Sequence, residues 1–207
     1  MKDKASEVFK IFLARTIALL AILISSDPLT SHNILFNGEW QHFEYLKVVG
    51  QLPQLTSDAP YCWRLLVPFL IYISPFSVET SFLINTFLSL LVCSLLVYYI
   101  IKELGFDKVY CWIAFFTFLS MINVVRINLI EFIAVDATAF MFILLSIYFT
   151  QKENKLLFII STILGVLTKE MTLIVIPFYF FYHAEKNIFD RNNISLLKKN
   201  VILGLPA

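Results

Sequence analysis

Long apolar runs, separated by polar turns, constrain the fold of this chain more than any other feature of its sequence. Of its 207 residues, 59% are hydrophobic and 15% are charged, whereas a soluble domain carries about 25% charged residues. This pattern predicts an all-α protein, a polytopic transmembrane helical bundle with a long first extracytoplasmic loop and short helical hairpins. We expect residues 1–207 to form a single transmembrane domain. Because VILGLPA at the end resembles the start of another apolar segment, we expect that domain to be the N-terminal part of a longer one.

The first apolar run, from about Val8 to Ser26, predicts a retained transmembrane helix. A signal peptide is the alternative, but Arg15 interrupts the run and no small-x-small cleavage site follows it. A long polar loop rich in aromatic residues then occupies residues 27–64. The next run, LLVPFLIYISPF, has only 12 residues and would span roughly 18 Å as a helix. It is too short for a hydrocarbon core of about 30 Å and is expected to lie at the interface.

Further apolar runs follow in close succession. A full-length span is predicted from about Thr80 to Ile101, followed by a shorter run from Val109 to Met121. The segment INVVRINLIEFIAVD comes next, then the run ATAFMFILLSIYFT, and then a long run from Leu156 to Tyr182. These runs predict the helices of the bundle, and several of them are short for a membrane span.

The distribution of Lys and Arg predicts the orientation of the chain. With the N-terminus in the cytoplasm, four of the sixteen basic residues lie outside, namely Lys47, Arg64, Arg126 and Lys169. The other twelve lie in the cytoplasm: Lys2, Lys4, Lys10, Arg15, Lys102, Lys108, Lys152, Lys155, Lys186, Arg191, Lys198 and Lys199. This topology predicts an integral membrane protein with a cytoplasmic N-terminus.

That topology requires the chain to turn at Lys169 and Glu170, which lie side by side within the run from Leu156 to Tyr182. One continuous helix would instead place both charges at the membrane midplane, at a cost of about 2.5–3.5 kcal/mol per charge. A hairpin avoids this cost, but its two arms are each only roughly 18–20 Å long. The hairpin would therefore hold Lys169 and Glu170 below the outer membrane surface.

The second outer turn carries ionisable residues at about the same depth. Arg126, Glu131 and Asp136 lie between two short apolar runs, and Arg64 precedes the short LLVPFL segment. Charges at membrane depth are tolerated when they are buried in protein or line a wet cavity. The sequence therefore predicts a water-filled pocket that opens outward, lined by these residues together with Lys169 and Glu170. The simpler alternative is that they form ordinary ion pairs or snorkel to the surface.

The first loop contains candidate acid–base residues. The segment FNGEWQHFEYL places Glu39, His42 and Glu44 among aromatic side chains, which fits a sugar-binding surface or a helix in the headgroup region. The sequence has no HExxH metal motif, no glycine-rich phosphate loop and no GxSxG motif. Its three cysteines, Cys62, Cys93 and Cys111, lack metal-ligand spacing, and no disulfide is inferred.

Four segments resemble those of the membrane-embedded GT-C glycosyltransferases, a superfamily that includes protein O-mannosyltransferases and the lipid A aminoarabinose transferase. The order of these segments matches the N-terminal half of such enzymes over most of residues 10–183. The resemblance is carried by FNGEWQHFEYLKVV, APYCWRLLVPFL, VDATAFMFILLSIYF and GVLTKEMTLIVIPF.

This resemblance implies a glycosyltransferase that moves a hexose or pentose from a polyprenyl-phosphate donor to an acceptor on the extracytoplasmic face. Glu39 and then Glu44 would be the catalytic carboxylates. The substrate-binding residues would be Arg64, Arg126, Asp136, Lys169 and Glu170, with Lys169 and Arg64 contacting phosphate. Asn37 departs from the pattern, because many family members have an aspartate in this loop.

The resemblance implies a location in a bacterial inner membrane, with the polyprenyl-linked sugar and the lipid bilayer as partners. The net charge of +1 gives no reason to expect a nucleic acid partner. No cofactor is expected, and the need for a divalent metal is left open. Two other functions fit the residues. Ionisable groups at membrane depth also mark transporters and flippase subunits, and a truncated chain would fit a non-catalytic homologue.

Overall fold

The computed structural model describes residues 2–26, 40–52, 64–122 and 124–188, and the side chains of residues 13–25, 44–52, 64–122 and 124–183. Within these ranges the regular structure is helical, joined by turns and short loops, and there is no β-strand, which confirms the predicted all-α class. The helices are α1 (Lys2–Ser26), α2 (Trp40–Gln51), α3 (Leu66–Tyr72), α4 (Val78–Glu103), α5 (Lys108–Ser120), α6 (Arg126–Ile130), α7 (Asp136–Gln151), α8 (Lys155–Thr168), a 3-10 helix (Glu170–Ile174) and α9 (Val175–Ile188).

The chain divides into two compact units, Met1–Leu173 and Ile174–Ala207. The first unit contains helices α1 to α8. The described part of the second unit is α9. Aromatic side chains of α9 pack against one another, and the ring centroids of Tyr179 and His183 lie 4.3 Å apart. The residues of the candidate site all belong to the first unit.

Helix α4 is the central helix of the first unit. It begins after Ser77, whose hydroxyl accepts a hydrogen bond from the amide of Thr80, as expected of an N-cap serine. It ends before Gly105, which adopts the left-handed conformation with φ of 85°, as is common beyond a helix C-terminus. With 26 residues it is the one helix in the described ranges that is long and apolar enough to cross a membrane. The predicted helix from Thr80 to Ile101 is thus confirmed.

Helix α7 packs against α4, and α8 packs against α7. Near the start of α7, Thr138 receives a hydrogen bond from Asn85 of α4 (2.8 Å). At the other end, Lys152 pairs with Glu103 (2.6 Å). These two contacts show that α7 runs parallel to α4. The hydroxyl of Ser146 in α7 contacts that of Ser161 in α8 (2.9 Å), and α8 runs back antiparallel to α7.

The short helices α2 and α3 pack against the same end of the bundle as the start of α7. Tyr45 and Val48 of α2 pack in one buried cluster with Ile71 of α3, Phe82 of α4 and Phe132 before α7. The loop therefore contains a helix that is packed against the bundle. The predicted short segment after it forms the seven-residue helix α3.

The predicted break within the long run from Leu156 to Tyr182 is present. Helix α8 ends at Thr168, and Lys169 is extended, with φ of −161° and ψ of 130°. A 3-10 helix, Glu170–Ile174, follows directly. The alternative of one continuous α-helix through Lys169 and Glu170 is wrong, because the backbone leaves the helical conformation at Lys169.

Buried hydroxyl groups and exposed apolar side chains characterise α7 and α8. Ser146, Ser161 and Thr162 are buried between the two helices, and their hydroxyls also donate to carbonyls of the preceding turn. The outer face of α8 instead carries exposed apolar residues, namely Leu156, Ile159, Ile160, Ile163 and Leu167. Helix α5 has a similar exposed stripe of Val109, Tyr110, Ile113 and Phe116.

Candidate functional site

The centre of the candidate site is an ion pair between residues that are 106 positions apart in the chain. The guanidinium of Arg64 donates to both carboxylate oxygens of Glu170, from Nε to Oε2 (2.9 Å) and from Nη2 to Oε1 (2.5 Å). This two-point geometry is the strongest and most directional form of an arginine–carboxylate contact. The Arg64 side chain is 9% exposed, whereas that of Glu170 is 53% exposed, so the pair lies at the edge of the protein interior.

Tyr45 of α2 holds Arg64 from the other side. Its phenolic oxygen accepts a hydrogen bond from Nη1 of Arg64 (3.0 Å), and Tyr45 itself is almost fully buried. Burial lowers the pKa of Arg64, but the hydrogen bonds to Glu170 and Tyr45 outweigh burial and raise this pKa above its ordinary value. Arg64 is therefore a fixed and permanently charged group.

A second ion pair adjoins the first. Lys169, the residue before Glu170, pairs through its ammonium group with Asp136, the first residue of α7. Both side chains are partly exposed, at 20% and 28%. We call Tyr45, Arg64, Asp136, Lys169 and Glu170 the charged cluster. It joins α2, the segment before α3, the start of α7 and the break after α8.

The close packing of the 3-10 helix against α8 depends on Gly165. A β-carbon at this position would overlap the methyl group of Thr172 and lie 3.0 Å from Cβ of Phe142 in α7. Thr172 is fully buried, and its amide donates to the carbonyl of Lys169 (3.1 Å). The absence of a side chain at Gly165 therefore allows the turn that presents Lys169 and Glu170 to their partners.

Glu44 precedes Tyr45 on α2 and is the candidate catalytic carboxylate that the structure describes. The residue is 8% exposed. Its Oε2 atom is buried and accepts no hydrogen bond from any described residue, and Nζ of Lys47 lies 3.9 Å from it. A buried carboxylate oxygen without a hydrogen-bond donor retains the capacity to accept a proton.

The other predicted site residues are placed differently. Glu39, the first candidate for the catalytic carboxylate, lies outside the described residues. Arg126 begins α6 and is exposed, and within the described ranges no ion pair or hydrogen bond joins it to the charged cluster. Glu131 follows α6 and caps its end. Ion pairs bring together four of the predicted wall residues, Arg64, Asp136, Lys169 and Glu170.

Tyr45 is the member of the cluster that sequence reasoning missed. The apolar spacing of Tyr45, Val48 and Val49 matches one face of a helix, and all three residues are buried. That periodicity could have identified Tyr45 as an inward-facing residue of a loop helix. It could not have identified Arg64 as its partner.

The chemistry available to the cluster follows from its groups. Arg64 and Lys169 can bind a phosphate, since a guanidinium recognises phosphate with the same two-point geometry as a carboxylate. Asp136, Glu170 and Glu44 can accept protons or orient hydroxyl groups. Among the described residues, no group of three or more His, Cys, Asp or Glu side chains could hold a metal ion.

Comparison of the chain with family models, with curated proteins and with solved structures found no match. The resemblance to GT-C glycosyltransferases is therefore a hypothesis that rests on the sequence segments themselves.

Proposed function

We propose that this chain is part of a membrane-embedded glycosyltransferase that moves a sugar from a polyprenyl-phosphate donor to an acceptor hydroxyl on the extracytoplasmic face. The observation that carries the proposal is the charged cluster. Two cations from distant parts of the chain, Arg64 and Lys169, are each held in an ion pair, and the two pairs are linked because Lys169 directly precedes Glu170. The helix that contacts Arg64 through Tyr45 also carries the buried carboxylate of Glu44.

A membrane location is supported by where polar and apolar groups lie. Buried serine and threonine residues line the contact between α7 and α8, while isoleucine and leucine cover the outer face of α8. Small and hydroxyl-bearing residues at helix contacts are typical of membrane bundles, and exposed apolar stripes of this extent suit contact with lipid. Helix α4 is long enough to cross the bilayer.

The proposed reaction needs little covalent chemistry from the protein. Glu44 or Glu39 accepts the proton of the acceptor hydroxyl, whose oxygen forms a bond to the anomeric carbon of the sugar. The bond between that carbon and the phosphate oxygen breaks, and the electron pair leaves with the polyprenyl phosphate. Arg64 and Lys169 stabilise the negative charge that develops on the phosphate.

The test uses the full chain reconstituted in lipid with polyprenyl-phosphate hexose and pentose donors, with water and short alcohols supplying the acceptor hydroxyl, and measures release of the sugar from the lipid phosphate. We expect wild-type protein to release sugar from at least one donor. Changing both Glu39 and Glu44 to Gln should abolish release, and the single variants should show which carboxylate accepts the proton. Full activity in the double variant would contradict the assignment of these residues.

A transporter or flippase subunit is the second candidate. It is favoured by polar contacts that continue below the charged cluster, where Thr138 is hydrogen-bonded to Asn85 and contacts Ser89 (3.0 Å). Such groups can line a path through a bundle. The reconstituted protein distinguishes the two candidates, because a flippase moves the intact lipid-linked sugar across the vesicle bilayer without cleaving it.

A further inference from the structure

The two cations of the charged cluster are occupied by carboxylates of the protein itself. Glu170 takes both donor positions of the Arg64 guanidinium that a phosphate would use, and Asp136 pairs with Lys169. A phosphate therefore cannot use the Nε and Nη2 edge of Arg64 while Glu170 remains in place.

The two members of the Arg64–Glu170 pair differ in how firmly they are held. Arg64 is 9% exposed and is bonded to the buried Tyr45 on its other side. Glu170 is 53% exposed and begins a 3-10 helix directly after the extended Lys169. Rotation of the Glu170 side chain into solvent would free Arg64 without moving the backbone or the guanidinium.

Asp136 is less suited to such a movement. Its side chain is 28% exposed, and it stands at the first position of α7, where the helix dipole stabilises a carboxylate. Glu170 is the more exposed acid of the two and the one that occupies the two-point donor. It is therefore the group that a ligand can displace at the lower cost.

We propose that Glu170 is a displaceable internal ligand that closes the phosphate site at Arg64 until the phosphate group of the substrate takes its place. This inference rests on the proposed function, because it assigns the order of events at the same site. In the resting protein Glu170 neutralises Arg64, and in the loaded protein the phosphate does so while Glu170 faces water. Net charge at Arg64 is balanced in both states, which avoids an unpaired buried guanidinium.

The experiment measures retention of radiolabelled polyprenyl phosphate by the full chain in lipid nanodiscs. We expect Glu170→Gln to bind this lipid about tenfold more tightly than wild type, the factor that corresponds to removal of one charge-assisted competitor. Glu103→Gln is the matched control, since it removes the same charge from the pair with Lys152 at the other end of α7, and it should leave binding unchanged. Neutral polyprenol should bind all variants equally.

Two further arms identify the ligand and its contact. Competition by inorganic phosphate would show that the free ion enters the site, and its failure to compete would show that the lipid is required. In both cases, tighter binding by Glu170→Gln supports the role of Glu170 as a displaceable internal ligand. Adding Arg64→Lys to Glu170→Gln should remove the gain, because lysine lacks the two-point donor.

The displaceable role of Glu170 is contradicted if Glu170→Gln binds polyprenyl phosphate no more tightly than wild type. It is also contradicted if Glu103→Gln shows the same gain in affinity. If wild type releases no sugar but Glu170→Gln still binds the lipid more tightly, the proposed transferase activity is contradicted. The displacement of Glu170 by phosphate is then still supported. Absence of lipid binding by every variant overturns both. If Glu170→Gln loses its native elution profile, Glu170→Asp replaces it, because a carboxylate one methylene shorter weakens the two-point contact with Arg64, and a smaller gain in the same direction is expected.

Discussion

At the scale of single residues, a neighbouring arginine shifts the pKa of one carboxylate in the charged cluster. The hydrogen bonds from Arg64 lower the pKa of Glu170, while partial burial of the carboxyl acts in the opposite direction. Because the folded pKa is depressed, the stability from this pair is fully present above the ordinary pKa of 4.5. It is lost as pH falls through the lowered pKa of the folded state.

We therefore expect Glu170→Gln to unfold at a lower temperature than wild type at neutral pH, and the difference to shrink as the pH falls below about 4.5. Thermal unfolding in nanodiscs from neutral pH to about pH 3 measures this difference. The exposed Glu79 has no ion pair among the described residues, so Glu79→Gln is the control and should show no such convergence. A constant gap between wild type and Glu170→Gln across the pH range would contradict the role of the pair.

Arg15 is a second unusual residue, in α1 and remote in sequence from the cluster. It is fully buried, and none of its guanidinium nitrogens has a hydrogen-bond partner among the described residues. Three rings surround it instead, with centroids 4.8 Å away for Tyr98 and Phe115 and 5.9 Å for Trp112. Cation–π contacts contribute about 0.5–2 kcal/mol each, against a burial cost of several kcal/mol for a charge.

Arg15→Met should consequently be as stable as wild type or more so, because methionine fills the space without a buried charge. Trp112→Leu should instead destabilise the protein by about 2 kcal/mol or more, since it creates a cavity and removes one ring from the cation. Thermal or denaturant unfolding of both variants checks this order. A large loss of stability in Arg15→Met would show that the guanidinium makes a favourable contact of another kind.

At the scale of elements, the site depends on two close helix contacts rather than on any one helix. The start of α7 supplies Asp136, and the break after α8 supplies Lys169 and Glu170. Their approach requires α8 and the 3-10 helix to pack without a side chain at Gly165. The interface between α7 and α8 also buries the hydroxyl groups of these two helices. One interface therefore holds both the buried hydroxyl groups and the candidate site.

Gly165→Ala should destabilise the protein by about 1–3 kcal/mol, because the added methyl group overpacks the contact with Thr172 and Phe142. Gly50 in α2 has nothing within 4 Å of its ideal β-carbon. Gly50→Ala is therefore the matched control and should be neutral or slightly stabilising.

Thr172→Ser removes the methyl group that the alanine would meet and should restore part of the loss in the Gly165→Ala background. Unfolding measurements on the single and double variants give the coupling between the two positions. Purely additive losses would show that Gly165 is required for a reason other than its contact with Thr172.

At the scale of the whole molecule, the first unit carries charge at both ends of α7. The charged cluster lies at its start, and the Lys152–Glu103 pair lies at its end. A helix of 16 residues is roughly 24 Å long, which is a little less than the hydrocarbon core of a bilayer. Together with the bias of Lys and Arg, this arrangement predicts that the two ends face opposite sides of a membrane.

Cysteine labelling tests this orientation. In a variant without Cys62, Cys93 and Cys111, we expect Glu79→Cys to react with a membrane-impermeant maleimide in intact bacterial cells. Glu153→Cys should react only after permeabilisation, since it lies at the opposite end of the unit. Labelling of both positions from outside, or the reverse pattern, would contradict the predicted topology.

The sequence by itself determined the helices and their main break. Apolar runs predict helices well because their length and flanking charges are local properties: the span expected from Thr80 to Ile101 lies within Val78–Glu103. The break at Lys169 followed from the cost of placing two adjacent charges inside an apolar helix.

Only the tertiary structure decided which charges meet. Arg64 pairs with Glu170 across 106 residues and with Tyr45 of a loop helix, whereas Arg126 is exposed and no ion pair or hydrogen bond among the described residues joins it to them. The expectation that Arg126 shares the site could not be refined from sequence, because pairing depends on which helix ends come together and how closely they pack. That approach is set by the buried contacts among α2, α3, α4, α7 and α8, which are non-local properties of the folded chain.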